Sequence, residues 1–199
     1  MIYFSTAETA AIIRKSLKEA FAGIKFSVRS SVYSGGSSIS VRWTDGPSEE
    51  QVRGVVGHLC GGYFDGSIDY AGSVYHMQEG KEIRLENDHL FFNRDHSDAA
   101  IEAAIRAVFE RFQGNFRDAG IGMPTVEDFR AGRLWNTQLP GLHHNGRQSV
   151  QADIFQALAE QTDRAEAGKS KTAASIFTTG DDGYSRACGA GHSAVSVSL

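Results

Sequence analysis

The stretch Lys25-Phe-Ser-Val-Arg-Ser-Ser-Val-Tyr-Ser-Gly-Gly-Ser-Ser-Ile-Ser-Val-Arg-Trp43 decides the fold. Phe26 and Val28 alternate with Lys25, Ser27 and Arg29, and beyond the turn Ile39, Val41 and Trp43 alternate with Ser38, Ser40 and Arg42. Period-2 alternation on both sides of a glycine-rich turn predicts a β-hairpin with one apolar and one polar face. Ser34-Gly-Gly-Ser37 supplies residues that accept the positive φ such a turn requires. The flanking segments read as helices built to cover the apolar face.

On the N-terminal side, Ser5-Thr-Ala-Glu8 fits a capping box, in which hydroxyl and carboxylate satisfy amide donors at a helix start. Ile13, Leu17, Ala20, Phe21 and Ile24 then recur at spacings of three and four, the stripe of an amphipathic helix, with Gly23 placed as its stop. On the C-terminal side, Thr44-Asp-Gly-Pro47 closes the hairpin and Ser48-Glu-Glu-Gln51 forms a second capping box. Val52, Val55, Val56 and Leu59 form its apolar stripe, and Gly61-Gly62 ends it. Residues 5–60 therefore read helix–strand–strand–helix.

Val74–Met77, Ile83–Glu86 and Leu90–Asn93 are short strand candidates, separated by turns at Glu79-Gly80 and Asn87-Asp88. Ser97 or Asp95 caps a helix carrying Ile101, Ala104, Ile105, Val108, Phe109 and Phe112, which Gly114 stops. The expected fold class is α+β: an antiparallel sheet of four to five strands covered by helices, occupying residues 1–114. Residues 115–199 form a helical and irregular extension. It holds a short helix opened by Thr125 and a longer one with Ile154, Phe155, Leu158 and Ala159. It ends in a polar tail from Ala165 onward, too poor in large apolar residues to fold on its own.

The totals bound the function. A chain of 199 residues suffices for one substantial core or a core with an appended segment. A formal charge of −4 argues against a surface given over to nucleic acid. Residues 1–60 hold seven basic and five acidic residues, +2, which leaves −6 for the remainder. Two distant cysteines, Cys60 and Cys188, offer no disulfide framework and point to a reducing compartment. Met-Ile-Tyr-Phe-Ser lacks the basic and apolar regions of a leader, and no apolar run is long enough to cross a bilayer. The expectation is a soluble cytoplasmic protein.

Searches for catalytic chemistry return little. Gly168-Lys-Ser170 resembles the end of a phosphate-binding loop, but Asp163 stands where its first glycine belongs. Cys188-Gly-Ala-Gly191 lacks the third glycine and the preceding strand of a dinucleotide fingerprint. His143-His144 is the one histidine cluster, and adjacent side chains diverge; His76, His89 and His96 are spread over separate strand candidates. Cys60 among Val56, Leu59 and Tyr63 reads as a small buried residue, and His58 at i−2 does not face it. No cofactor, metal or catalytic residue is expected. Candidate binding residues are Lys25, Arg29, Tyr33 and Arg42 on the hairpin, which suit phosphates or a protein partner, and Trp135, His143 and His144 in the extension. The simpler reading of the hairpin's polar face is a solvated sheet surface.

The run Thr6-Ala-Glu-Thr-Ala-Ala-Ile-Ile-Arg14 through Ala20-Phe21, with Gly23-Ile-Lys-Phe-Ser-Val-Arg29, Tyr33-Ser-Gly-Gly36, Ser38-Ile-Ser-Val41, Trp43 and Asp45-Gly-Pro47, resembles a large polyvalent protein-associated domain. This is the variety carried by phages, plasmids and integrative elements. The resemblance covers roughly residues 5–70; Ala22 departs from it, where related sequences commonly have proline. It implies an α+β accessory domain without assigned active-site residues, which helps a mobile element establish itself against host defences. The leading expectation is a non-enzymatic anti-defence protein that inhibits a host CRISPR surveillance complex or restriction enzyme by direct binding. The alternatives are a nucleic-acid-binding module using the 25–43 hairpin, and a hydrolase whose site assembles from scattered histidines and acids.

Overall fold

A computed structural model describes residues 1–143, 148–161 and 167–183. The chain runs β1 (Ile2–Phe4), α1 (Thr6–Ala20), β2 (Ser27–Tyr33), β3 (Gly36–Thr44), α2 (Glu49–Val56), β4 (Gly62–Asp65), β5 (Tyr70–Gln78), β6 (Lys81–Leu85) and β7 (His89–Asp95). It continues with α3 (Asp98–Arg111), α4 (Gln113–Asp118), α5 (Val126–Arg130), α6 (Val150–Glu160), α7 (Lys171–Ala174) and β8 (Ile176–Asp181). The protein is α+β, and its chain divides into two compact units: residues 1–94 with 164–199, and residues 95–163.

In the first unit both capping boxes form. Ser5 N–H donates to Glu8 at 2.8 Å while Glu8 N–H donates to the Ser5 hydroxyl; Ser48 and Gln51 repeat the arrangement at the head of α2. Helix α1 buries Ala10, Ile13, Leu17 and Ala20 against Val28, Ile39, Val41 and Trp43 of the hairpin, and Val52, Val56 and Leu59 complete that core. The hairpin pairs Ser27 with Arg42 through to Tyr33 with Gly36, so only Ser34 and Gly35 turn, and Gly35 takes a φ of +91°. The Trp43 indole N–H donates to the Pro47 carbonyl at 2.9 Å, which satisfies its one polar atom inside the core.

The expected single antiparallel sheet is two sheets. The hairpin carries β7 in a three-stranded sheet ordered β2-β3-β7. The other strands form a five-stranded sheet ordered β1-β6-β5-β4, with β8 also on β5. In it β1 lies parallel to β6, Ile2 against Ile83 and Phe4 against Leu85. The division is imposed where β6 passes into β7. Asn87 is fully buried and donates to the Leu59 carbonyl, and Asp88 accepts from the Ser37 amide at 2.7 Å. Gly61 fits there because a Cβ would stand 1.8 Å from the Leu85 carbonyl oxygen.

The polar stretch 167–183 returns to this first unit. Gly168 N–H donates to the Ala20 carbonyl at 2.8 Å. The Glu19 carboxylate accepts from the Ser170 hydroxyl and from both the amide and hydroxyl of Thr172, which ties α7 to the end of α1. Ile176 then enters the core and β8 pairs with β5, Val74 opposite Asp181. Each contact is small, and together they order a segment that has almost no apolar surface of its own.

The second unit is helical. Ile101, Ala104, Ile105 and Val108 of α3 pack with Phe116, Phe129, Leu134, Leu139, Val150, Ile154 and Leu158. Helix α3 therefore belongs to this core and not to the sheet expected to receive it. Gly114, expected to stop α3, lies within α4, and the chain turns instead at Gly120 with a φ of +67°.

Candidate functional site

The polar face of the three-stranded sheet emerges directly from the hairpin register. Ser27, Arg29, Ser31 and Tyr33 of β2 point the same way as Ser38, Ser40 and Arg42 of β3, opposite the buried Val28, Ile39, Val41 and Trp43. Strand β7 extends this face. Leu90 and Phe92 pack into the core, so His89, Phe91 and Asn93 point outward, and Asn93 reaches the Ser40 hydroxyl at 3.5 Å. Phe91 is 52% exposed, and the His89 ring stacks beside it at 5.8 Å and 27°.

The face has two ends. At the hairpin tip the Tyr33 ring lies across Gly36, where a Cβ would come within 3.3 Å of it. Arg29, opposite Ser40, and Arg42, opposite Ser27, hold the other end, with Lys25 exposed just before β2. Among the described residues neither Arg29 nor Arg42 has an ion-pair or hydrogen-bond partner. Arg53, Arg106, Arg130 and Arg133, by contrast, each reach a carboxylate. The four hairpin candidates thus share one solvent-facing region.

Trp135 lies in the second unit. Thr125 and Asp128 close a capping box at α5, and Gly132 turns the chain with a φ of +69°. Leu134 is buried by that turn, which sends its neighbour Trp135 outward, 54% exposed. The indole stacks on Phe155 of α6 at 5.8 Å and 28°, and Phe155 in turn contacts Phe129 at 4.8 Å. Phe155, expected on the apolar face of α6, is 45% exposed; that face is made by Val150, Gln151, Ile154 and Leu158. Arg133 bridges Glu127 and Asp128 close by. The Thr125 hydroxyl and the Arg133 guanidinium hold the Asp128 carboxyl below its ordinary range. This unit holds ten carboxylates, six arginines and no lysine, a net −4 equal to the charge of the whole chain.

His143 is spent internally. Its Nδ1 accepts from the Leu139 amide at 2.9 Å, which leaves Nε2 to donate to Asp153 at 2.8 Å. It ties the loop after Thr137 to α6 and offers no solvent-facing nitrogen. His144 and Cys188 lie outside the described residues.

Cys60 and His76 are engaged inside the first unit. The Cys60 thiol contacts the Gly62 carbonyl at 3.2 Å, and burial pushes its pKa up, the reverse of what activates a nucleophile. His76 is buried, bonds the His58 carbonyl at 2.7 Å, and is held below its ordinary pKa by that burial. Among the described residues no three His, Cys, Asp or Glu side chains gather as metal ligands. A cleft of about 300 Å³ between α3 and α6 is lined by Arg111, Asp153, Gln156 and Glu160 but presents no paired nucleophile and base. Among the described residues no helix is long and apolar enough to cross a membrane.

Sequence reasoning did not single out Phe91, and it met His89 only as a scattered histidine and Phe155 only as part of a helix stripe. The signal for Phe91 was the alternation Leu90-Phe-Phe-Asn93, which becomes informative once Leu90 and Phe92 are known to face the core.

Comparison with known proteins bears out the resemblance and lengthens it. The match to a family model described as large polyvalent protein associated domain 29 spans residues 4–97, past the roughly 5–70 expected. It takes in β2 to β7 with the last residue of β1, leaves out β8, and stops at the residue that caps α3. No curated protein and no solved structure matches the chain. The chain is thus similar to that family over residues 4–97, a little under half of its length.

Proposed function

We propose that this is a non-enzymatic protein of a mobile genetic element that inhibits a host defence complex, a CRISPR surveillance complex or a restriction enzyme, by binding it directly. The family match supports the mobile-element setting. The observation that carries the reading is the half-exposed Trp135–Phe155 stack, standing on the unit that bears the chain's net negative charge. A stacked tryptophan on a rigid turn presents a large apolar surface with little entropy left to lose, the character of an interface anchor. The unit's net charge of −4 complements the basic surfaces with which defence nucleases hold nucleic acid. Unit two docks and unit one carries it.

The test is affinity capture of the tagged full chain from a defence-competent host. Wild type is expected to recover the subunits of one defence complex, and Trp135→Ala is expected to weaken capture by about 2 kcal/mol or more, roughly 30-fold. Recovery of no defence component by the wild-type protein would contradict the proposal.

A further inference from the structure

The outward face of β2-β3-β7 has features that a solvated scaffold does not require. It joins an aromatic end, made by Tyr33, His89 and Phe91, to a cationic end made by Arg29 and Arg42. Between them lie the short side chains of Ser31, Ser38 and Ser40. Asp88, where β7 begins, is engaged by Ser37, and Asp95 stands at the strand's far end.

We propose that this face is a binding site for single-stranded nucleic acid, with bases stacking on Phe91, His89 and Tyr33 and phosphates meeting Arg29 and Arg42. The chemistry selects that occupant. Two guanidiniums without a partner among the described residues call for anionic groups, and a planar fork suits phosphate oxygens. Exposed rings add affinity only where bases are free to leave their own stack, which a duplex does not offer. Successive outward residues of one strand stand about 6.6 Å apart. The His89–Phe91 pair, with ring centroids 5.8 Å apart, therefore forms a continuous platform wider than one ring. Stacking and phosphate contacts carry no sequence information, so the preference is for strandedness over sequence.

This inference is independent of the Trp135 surface and can fail or stand without it. The measurement is fluorescence anisotropy of the purified full chain with labelled oligothymidylate, oligouridylate and a duplex of equal length, at about 50 and about 200 mM salt. Binding is expected for the single strands in preference to the duplex, and weaker at the higher salt. Phe91→Ala is expected to weaken it on the order of tenfold. The pair Arg29→Gln with Arg42→Gln is expected to weaken it tenfold or more and to make the salt dependence shallower by roughly 1.4 in slope. All three positions are exposed, so circular dichroism should show an unaltered fold, and Trp135→Ala should bind as wild type does. Absence of binding at low salt, equal affinity for duplex, or indifference to Phe91→Ala would each overturn the proposal. Loss of defence-complex capture in the arginine variant, with no oligonucleotide binding by wild type, would mark the face as a protein-docking surface instead.

Discussion

Replacing Ile176 by alanine tests whether the returning segment is a working part of the first unit's core. Ile176 is 1% exposed and packs in the cluster that contains Ile13, Leu17, Ile39 and Val41. The substitution deletes three buried carbons, at about 0.8 kcal/mol each, for about 2.4 kcal/mol of lost transfer energy. A residual cavity between two sheets and a helix raises the cost to about 3 kcal/mol. With a denaturant slope of about 1.5 kcal/mol/M for a unit of this size, the midpoint should fall by about 2 M urea. The chain supplies its own probe: Trp43 is buried in the first unit and Trp135 exposed in the second. In a Trp135→Phe background, fluorescence therefore reports the first unit alone. A midpoint within about 0.3 M of wild type would refute the placement of β8 in the core, since surface substitutions stay within about 0.5 kcal/mol.

Three further outcomes follow from specific contacts. The Thr172 amide, with the hydroxyls of Thr172 and Ser170, holds the Glu19 carboxyl down to about 2, so its contribution to stability is present above pH 4.5 and is lost as pH falls through about 2. The urea midpoint of wild type should exceed that of Glu19→Gln at pH 6, and the gap should close progressively between pH 4.5 and 2; a gap that stays constant refutes the contact. Gly61→Ala places a methyl carbon 1.8 Å from a backbone oxygen that has no rotamer to escape through, and should destabilise the first unit by about 3 kcal/mol or more in the same urea assay. Burial lowers the pKa of His76, so the unfolded chain takes up protons first and stability should fall as pH drops below about 6.5; proton NMR of its ring should show it titrating below the ordinary histidine range.

The legible parts of the fold were those with several independent local signals. Ile39, Val41 and Trp43 alternate, Gly35 turns, and Ser5 and Ser48 cap, so hairpin and flanking helices were readable together. Strand β1 was not, because three residues display no period. Strand β8 was missed because Phe177, Thr178 and Thr179 look like tail, and what orders them is their pairing with β5, about 100 residues away. The apolar stripe of α3 was readable, but a stripe does not say which core receives it, and that ambiguity displaced the domain boundary.

The candidate sites divide in the same manner. Arg29, Arg42 and Tyr33 were visible because hairpin parity alone assigns their face. Phe91 joins them through the pairing of β3 with β7, a contact between segments some 50 residues apart. Trp135 was visible as a residue type, whereas its support by Phe155 depends on how α6 packs. His143 was visible as a candidate binding residue, whereas its bonds to Leu139 and Asp153 depend on how the loop after Thr137 meets α6.

The most direct measurement is the efficiency with which unmodified plasmid DNA establishes in two isogenic hosts, one with and one without an active defence system, each expressing wild type or Trp135→Ala. Direct inhibition predicts that wild type raises establishment toward the defence-free level only in the defended host, and that Trp135→Ala loses this protection while accumulating to the same level. Equal establishment with and without the wild-type protein across restriction and CRISPR hosts would contradict it.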